Sequence, residues 1–198
     1  MHTLTITPSL VALGAAILAA SSNAHRSPGA QAAQAAQGSM SARDAFSRLQ
    51  GMNGTWDADI TGDGQPDTVV TYEVIAAGSC VAETLFAGEP HQMVTMYHMD
   101  GPRLLCTHYC AAQNQPRLAA TAFTDDSIAF TFVDCTNLAS PDAMRMDSVT
   151  FTFNDDGTVS TDWGAKANGK EQEHALFTMT RHPADALAPA PAAPSTSP

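Results

Sequence analysis

The chain has 198 residues, 44% of them hydrophobic, with 9 Lys and Arg against 20 Asp and Glu, a formal charge of −11 at pH 7. That length holds one domain of ordinary size plus tails, with enough core for a stable fold. So acidic a surface repels phosphate backbones and anionic headgroups, which excludes nucleic acid and membrane-surface binding as its main task.

Residues 1–24 read as a signal peptide. The apolar run "SLVALGAAILAA", Ser9 to Ala20, is short for a bilayer span. Ser22-Asn23-Ala24 then places small residues at the −3 and −1 positions of a cleavage site. Because residues 1–24 contain no Lys or Arg, a short membrane anchor is the alternative. Cleavage would give an exported protein, periplasmic or secreted, with no membrane attachment. Residues 25–40 form an Ala/Gln-rich linker, and residues 183–198 a Pro/Ala-rich tail. Neither buries enough apolar surface to offset its chain entropy, which leaves a folded unit over 41–182.

That unit opens with one short helix, "ARDAFSRLQG", for which Ser41 and Asp44 form a capping pair. Everything after it alternates with a period near two and carries turn residues every 8 to 12 positions. Strands are predicted over 55–61, 67–76, 79–87, 92–99, 103–110, 117–124, 127–134, 147–154, 157–164 and 172–181. Their breaks include Gly62-Asp63-Gly64, Ala77-Gly78, Asp100-Gly101 and Asn168-Gly169. One longer connection, "CTNLASPDAMR", has the length for a helical turn. About ten sequential antiparallel strands have an edge problem that closure removes. The expected fold is therefore all-β, a closed up-and-down barrel, with an open sandwich as the alternative.

The first chemistry-bearing stretch is "DITGDGQPDTVV". Asp59, Thr61, Asp63 and Asp67 carry the 1-3-5-9 oxygen spacing of a calcium loop, with Gly64 at the sharp turn. It resembles the calcium hairpins of FG-GAP propeller repeats. It occurs once, however, and lacks a Glu at position 12, so a plain acidic turn serving its own backbone is the other reading. Glu83 lies between apolar neighbours in "CVAETLF". Inside a barrel it would need a partner such as Arg117 or His108; outside it would be solvated.

Cys106, His108 and Cys110 suggest a metal or redox site until their spacing on a strand is considered. Residues i, i+2 and i+4 share a face, and each step of two advances about 6.6 Å. Cys106 and Cys110 are then about 13 Å apart, beyond disulfide reach. One zinc could not easily take all three ligands. Across the Asp100-Gly101 hairpin an even-length loop pairs even with odd positions, so His98 faces away from His108. Thr95, Tyr97, Cys106 and Cys110 share the face of His108, a mixed polar and aromatic stripe suited either to a ligand cavity or to a self-satisfied core. Asn114 and Arg117 flank the following turn, at the mouth or simply serving it. The four cysteines, an even number, leave Cys80–Cys106 with Cys110–Cys135, Cys80–Cys110 with Cys106–Cys135, or free buried thiols. No nucleophile elbow, phosphate loop or His-Glu-x-x-His is present, so no catalytic residue is assigned. Trp163 reads as core or cavity lining.

"LQGMNGTWDADI" resembles the Gly-x-Trp opening strand of lipocalin-like (calycin) barrels, and "ALFTMTR" their final strand. The resemblance implies that Trp56 closes one end of the barrel and that Arg181 packs over it. "MVTMYHMDGPRLLCTHYCAAQNQPR" and "FVDCTNLASPDAMRMDSVTF" are similar to bacterial exported barrels of this kind, which have His-Met where this chain has Arg145-Met146. The resemblance supplies a fold but no activity. By analogy of fold, the lumen would bind a small apolar or amphipathic molecule. The alternatives are a haem- or metal-binding barrel using His108 or His98, and a cavity enzyme; calcium, haem and zinc are the cofactors considered.

Overall fold

The computed structural model describes residues 40–183. Apart from Met40 and Pro183, the segments read as signal peptide, linker and tail lie outside the described residues. Helix α1, Ala42–Gln50, starts at a capping box. Asp44 N donates to Ser41 Oγ at 3.2 Å, and Ser41 N donates back to Asp44 Oδ2 at 3.1 Å. Two orphan amides are thereby satisfied. Ala45, Phe46 and Leu49 form the buried face of the helix, which packs against the ends of β2, β4, β5 and β6.

Eleven strands follow: β1 Gly54–Asp59, β2 Thr68–Ile75, β3 Cys80–Leu85, β4 Met93–Asp100, β5 Arg103–Tyr109, β6 Gln115–Phe123, β7 Ser127–Thr136, β8 Arg145–Phe153, β9 Val159–Ala167, β10 Lys170–Glu171 and β11 Ala175–Arg181. Consecutive strands pair antiparallel from β1 to β9; β11 then pairs with both β9 and β1 and closes the ring. The result is a closed barrel of ten strands, compatible with a lipocalin-like fold, with β10 a two-residue extension on β9. Closure leaves no long open edge.

Two expected elements differ. The segment 172–181 is not one strand. The Asn168-Gly169 turn pairs Ala167 with Lys170, Gln172 N bonds Ala165 O at 2.9 Å, and the chain leaves the ladder until Ala175. The connection after β7 carries a single reverse turn, Ala143 N to Ser140 O at 3.0 Å, in place of a helical turn.

Alternation fills the lumen. Ile128, Phe130, Val149 and Phe151 are all at most 1% exposed. Tyr97, Phe130 and Phe151 meet edge-on, with centroids 5.7, 5.8 and 6.3 Å apart. Register shifts at Arg117/Leu118, Ala120/Ala122 and Met146/Ser148 are bulges that bend the wall. One end is closed by α1. There Arg181 Cζ lies 4.5 Å from the Trp56 ring centroid, and Arg181 donates to Gly51 O and Asn53 O at 2.9 and 3.0 Å. Trp56 Nε1 donates to Met52 O at 2.8 Å. The other end, the mouth, is framed by the loops 60–67, 86–92, 110–114, 137–144 and 168–174.

Candidate functional site

The inward face of β2 to β5 carries a row of polar side chains in direct register. Tyr72 pairs with Glu83, Glu83 with Thr95, and Thr95 with His108. The Asp100-Gly101 hairpin has the even-length register expected, so Thr95, Tyr97, Cys106 and His108 share the inner face while His98, opposite Leu105, lies on the outer wall.

Glu83 is 1% exposed, in a wall of apolar neighbours. Its partners are neither Arg117 nor His108. Tyr72 Oη donates to Oε1 at 2.6 Å and Tyr97 Oη to Oε2 at 2.9 Å. Burial raises the Glu83 carboxyl above its ordinary range, and the two phenols oppose that rise. Burial, together with the Glu83 charge, pushes the Tyr72 and Tyr97 phenols well above their usual values, so both remain donors. Buried among apolar groups, an unpartnered carboxylate would be untenable; the two phenols on neighbouring strands make it tolerable.

His108 continues the chain. Its Nδ1 lies 2.9 Å from Thr95 Oγ1. Burial lowers its pKa to about 4, so the imidazole is neutral at pH 7. In this pair either the Thr95 hydroxyl or Nδ1–H donates, and both neutral tautomers satisfy it. Across the lumen, the Trp163 ring lies against His108 at a centroid distance of 4.8 Å. His108 is 1% exposed and Trp163 2%. Neither His108 Nε2 nor Trp163 Nε1 has a hydrogen-bond partner.

The remaining expected site residues sit nearer the mouth. Asn114, 3% exposed, donates from Nδ2 to Met144 O at 2.7 Å and ties the 110–114 turn to the connection before β8. Its Oδ1 is unpartnered. Cys110 is half-buried at the end of β5. Arg117 points outward and pairs with Asp134, so it does not line the lumen. All four cysteines are free thiols. Cys80 lies on the outer face and Cys106 on the inner face, which separates them by the thickness of the wall.

The acidic loop is used by its own backbone. Asp59 accepts from Gly62 N and Gly64 N at 2.7 and 2.8 Å, Asp67 from Ile60 N and Thr61 N at 2.7 and 2.9 Å, and Asp63 from Gln65 N at 2.8 Å. Those amides also hold Asp67 below its ordinary pKa. Among the described residues, no group of three or more His, Cys, Asp and Glu side chains converges as a metal site. Burial and the Glu83 charge push the Cys106 thiol upward, which opposes thiolate ligation of zinc. A haem does not fit His108 either. Nε2 is enclosed and the Trp163 ring is already in contact, leaving no open face for a porphyrin.

Of the residues brought together here, Tyr72 is the one that the sequence signals least. Tyr72 reaches Glu83 across a turn built on left-handed Ala76 and Ala77, with φ of 51° and 54°, a conformation that alanine seldom marks in sequence. A Ser-His-Asp set also escapes sequence reading. His174 Nδ1 lies 2.7 Å from Asp162 Oδ1. A Cβ on Gly164 would lie 2.5 Å from Ser148 Oγ and 3.2 Å from His174 Nε2. This set lies on the outer wall with His174 49% exposed, and Gly164 is a paired member of the β8–β9 ladder. It is a surface His–Asp hydrogen bond beside a serine.

No protein-family model matches the chain, and no curated protein matches it in sequence.

Proposed function

We propose that this protein is an exported binding barrel that holds a small, largely apolar molecule in the mouth-side half of its lumen, against His108 and Trp163. One observation carries the reading: two ring nitrogens in contacting, nearly fully buried side chains lack any partner. Buried polar atoms are almost always paired. Leaving one unpaired costs about 1–3 kcal/mol. A few placed polar atoms among apolar side chains are what a small-molecule site needs, and the contacting His108 and Trp163 rings would have to part to admit one. Thr95 supports the site from behind through His108 Nδ1, while Cys110 and Asn114 lie toward its mouth. Export rests on the apolar N-terminal run and its small-residue cleavage site.

Native mass spectrometry on protein purified from its own host tests the proposal. The expected result is a retained small molecule that is lost on mild activation and absent from Trp163→Phe and His108→Phe. Bare wild-type protein that also fails to change its Trp163 fluorescence with small apolar probes would overturn it.

A further inference from the structure

We propose that a groove at the helix end of the barrel, lined by Arg48 and Arg181, binds the carboxylate of a small aromatic or apolar acid. The site is separate from the lumen and stands on different residues. The groove is open, has a volume of about 410 Å³, and lies where the last turn of α1 meets the ends of β8 and β11. Arg48 lies over the Phe153 ring at 4.2 Å and donates to Asp125 O. Arg181 lies over the Trp56 ring at 4.5 Å and donates to Gly51 O and Asn53 O. Ring contact and carbonyl anchors hold both guanidinium planes in place before a ligand arrives. Each keeps further N–H donors for an acceptor in the groove.

Charge selects an anion, and one of single charge. Among the described residues Arg48 and Arg181 meet no carboxylate, whereas Arg117 pairs with Asp134, and Arg145 and Lys166 share Asp147. Nor does any described Asp or Glu line the groove, in a chain that has 20 of them. A carboxylate matches the planar fork of a guanidinium. Met52, Trp56 and Val159, each 4% exposed or less, join Phe153 as apolar surface for the rest of the molecule. An adjoining hollow of about 580 Å³ shares Arg48, Phe153 and Asn154 but is lined by Asp125, Asp126 and Asp155. Those carboxylates, with Asp156 beside the lining Thr158, oppose a phosphate dianion more strongly than a carboxylate.

The chain's two tryptophans help to provide the test. Benzoate, benzyl alcohol, benzylammonium and phenyl phosphate are titrated at pH 7 into the ¹⁵N-labelled protein. The Nε–H resonances of Arg48 and Arg181 and the indole resonance of Trp56 report the groove. The indole resonance of Trp163, buried in the lumen, controls for fold and for lumen binding. Benzoate is expected to move the groove resonances, leave that of Trp163 in place, and bind about fivefold more tightly than benzyl alcohol. That preference should shrink as salt is raised to about 0.5 M. Arg48→Gln should remove most of the preference and Arg48→Lys should keep part of it, with the Trp163 resonance unchanged in both. Equal binding of benzoate and benzyl alcohol, or a preference that survives Arg48→Gln, overturns the proposal. Tighter binding of benzylammonium or phenyl phosphate overturns it too, as does silence of all the groove resonances. Benzoate that moves only the Trp163 resonance sits in the lumen, which supports the reading above and sinks this one.

Discussion

The two ends of the barrel treat the same residue type in opposite ways. At the helix end Trp56 is 4% exposed, its indole N–H bonded to Met52 O and its face covered by Arg181, which in turn caps Gly51 O and Asn53 O. At the mouth end Trp163 is 2% exposed with its N–H unpaired, beside an unpaired His108 Nε2. The first end is a closed account of hydrogen bonds and packing. The second accepts unsatisfied polar atoms within a barrel that could have filled them with Leu or Phe. The helix end pairs its indole nitrogen, whereas the mouth end leaves two buried ring nitrogens unpaired at a cost in stability.

Paired substitutions put that comparison at risk. Trp56→Phe should destabilise by about 2–3 kcal/mol, from lost packing under Arg181 and a Met52 carbonyl left without its donor. Trp163→Phe should cost about 1 kcal/mol or less, because the smaller ring loses packing but also removes an unsatisfied N–H. Denaturant unfolding of both variants measures the difference. Equal costs would mean that the Trp163 nitrogen is satisfied in solution and that the two ends are built alike.

The pH dependence of stability sharpens the comparison, since the titratable groups of the lumen belong to the polar row. His108 is lowered from 6.5 to about 4 in the folded state. The unfolded chain therefore binds the extra proton between those values, and stability falls on acidification from about pH 6.5 to about pH 4. The gap corresponds to on the order of 3 kcal/mol. Glu83 works in the opposite sense. Its pKa is raised on folding, so its contribution is present below the ordinary carboxyl pKa and is lost as pH rises through the folded value. His108→Phe should flatten the acid limb, and Glu83→Gln should remove the decline on the alkaline side of the carboxyl range. Unfolding free energies measured across pH 4–8 for the three proteins decide it. An unchanged acid limb in His108→Phe would show that this histidine is not desolvated.

Much of the fold could be read in the sequence because alternation and turn residues are local signals. The even-length Asp100-Gly101 hairpin set the partners of Thr95, Tyr97, Cys106 and His108 correctly. Where the turn chemistry was ambiguous the reading slipped, as at 172–174, where the chain leaves the ladder without a Gly or Pro to announce it. The site was only half legible. Parity grouped His108 with Thr95, Tyr97 and Cys106, but both faces of those strands carry apolar residues, so alternation alone did not fix which one turned inward. The contact of His108 with Trp163 depends on closure across the barrel, which no local pattern encodes. The Ala77-Gly78 turn was marked, but the register that sets Glu83 opposite Tyr72 depends on the left-handed backbone at Ala76 and Ala77. At the acidic loop, Asp59 to Asp67, the sequence left a calcium site and a self-serving turn both open, and the fold turns those oxygens to backbone amides.

That loop, on the mouth rim, carries the smallest expected effect. Five amides already take the carboxylate oxygens of Asp59, Asp63 and Asp67, so a calcium ion would have to recruit the remaining lone pairs without breaking the turn. Asp67→Ala removes the acceptor of two amides and should lower the melting temperature slightly. Asp63→Ala removes one exposed contact and should lower it less. Millimolar calcium, compared with chelator, should leave the wild-type melting temperature unchanged, since only a ligand that prefers the native state raises it. A rise of several degrees that disappears in Asp63→Ala would make the loop a cation site. The mouth end would then gain a stabilising ligand of its own, and its contrast with the helix end would hold only for the metal-free protein.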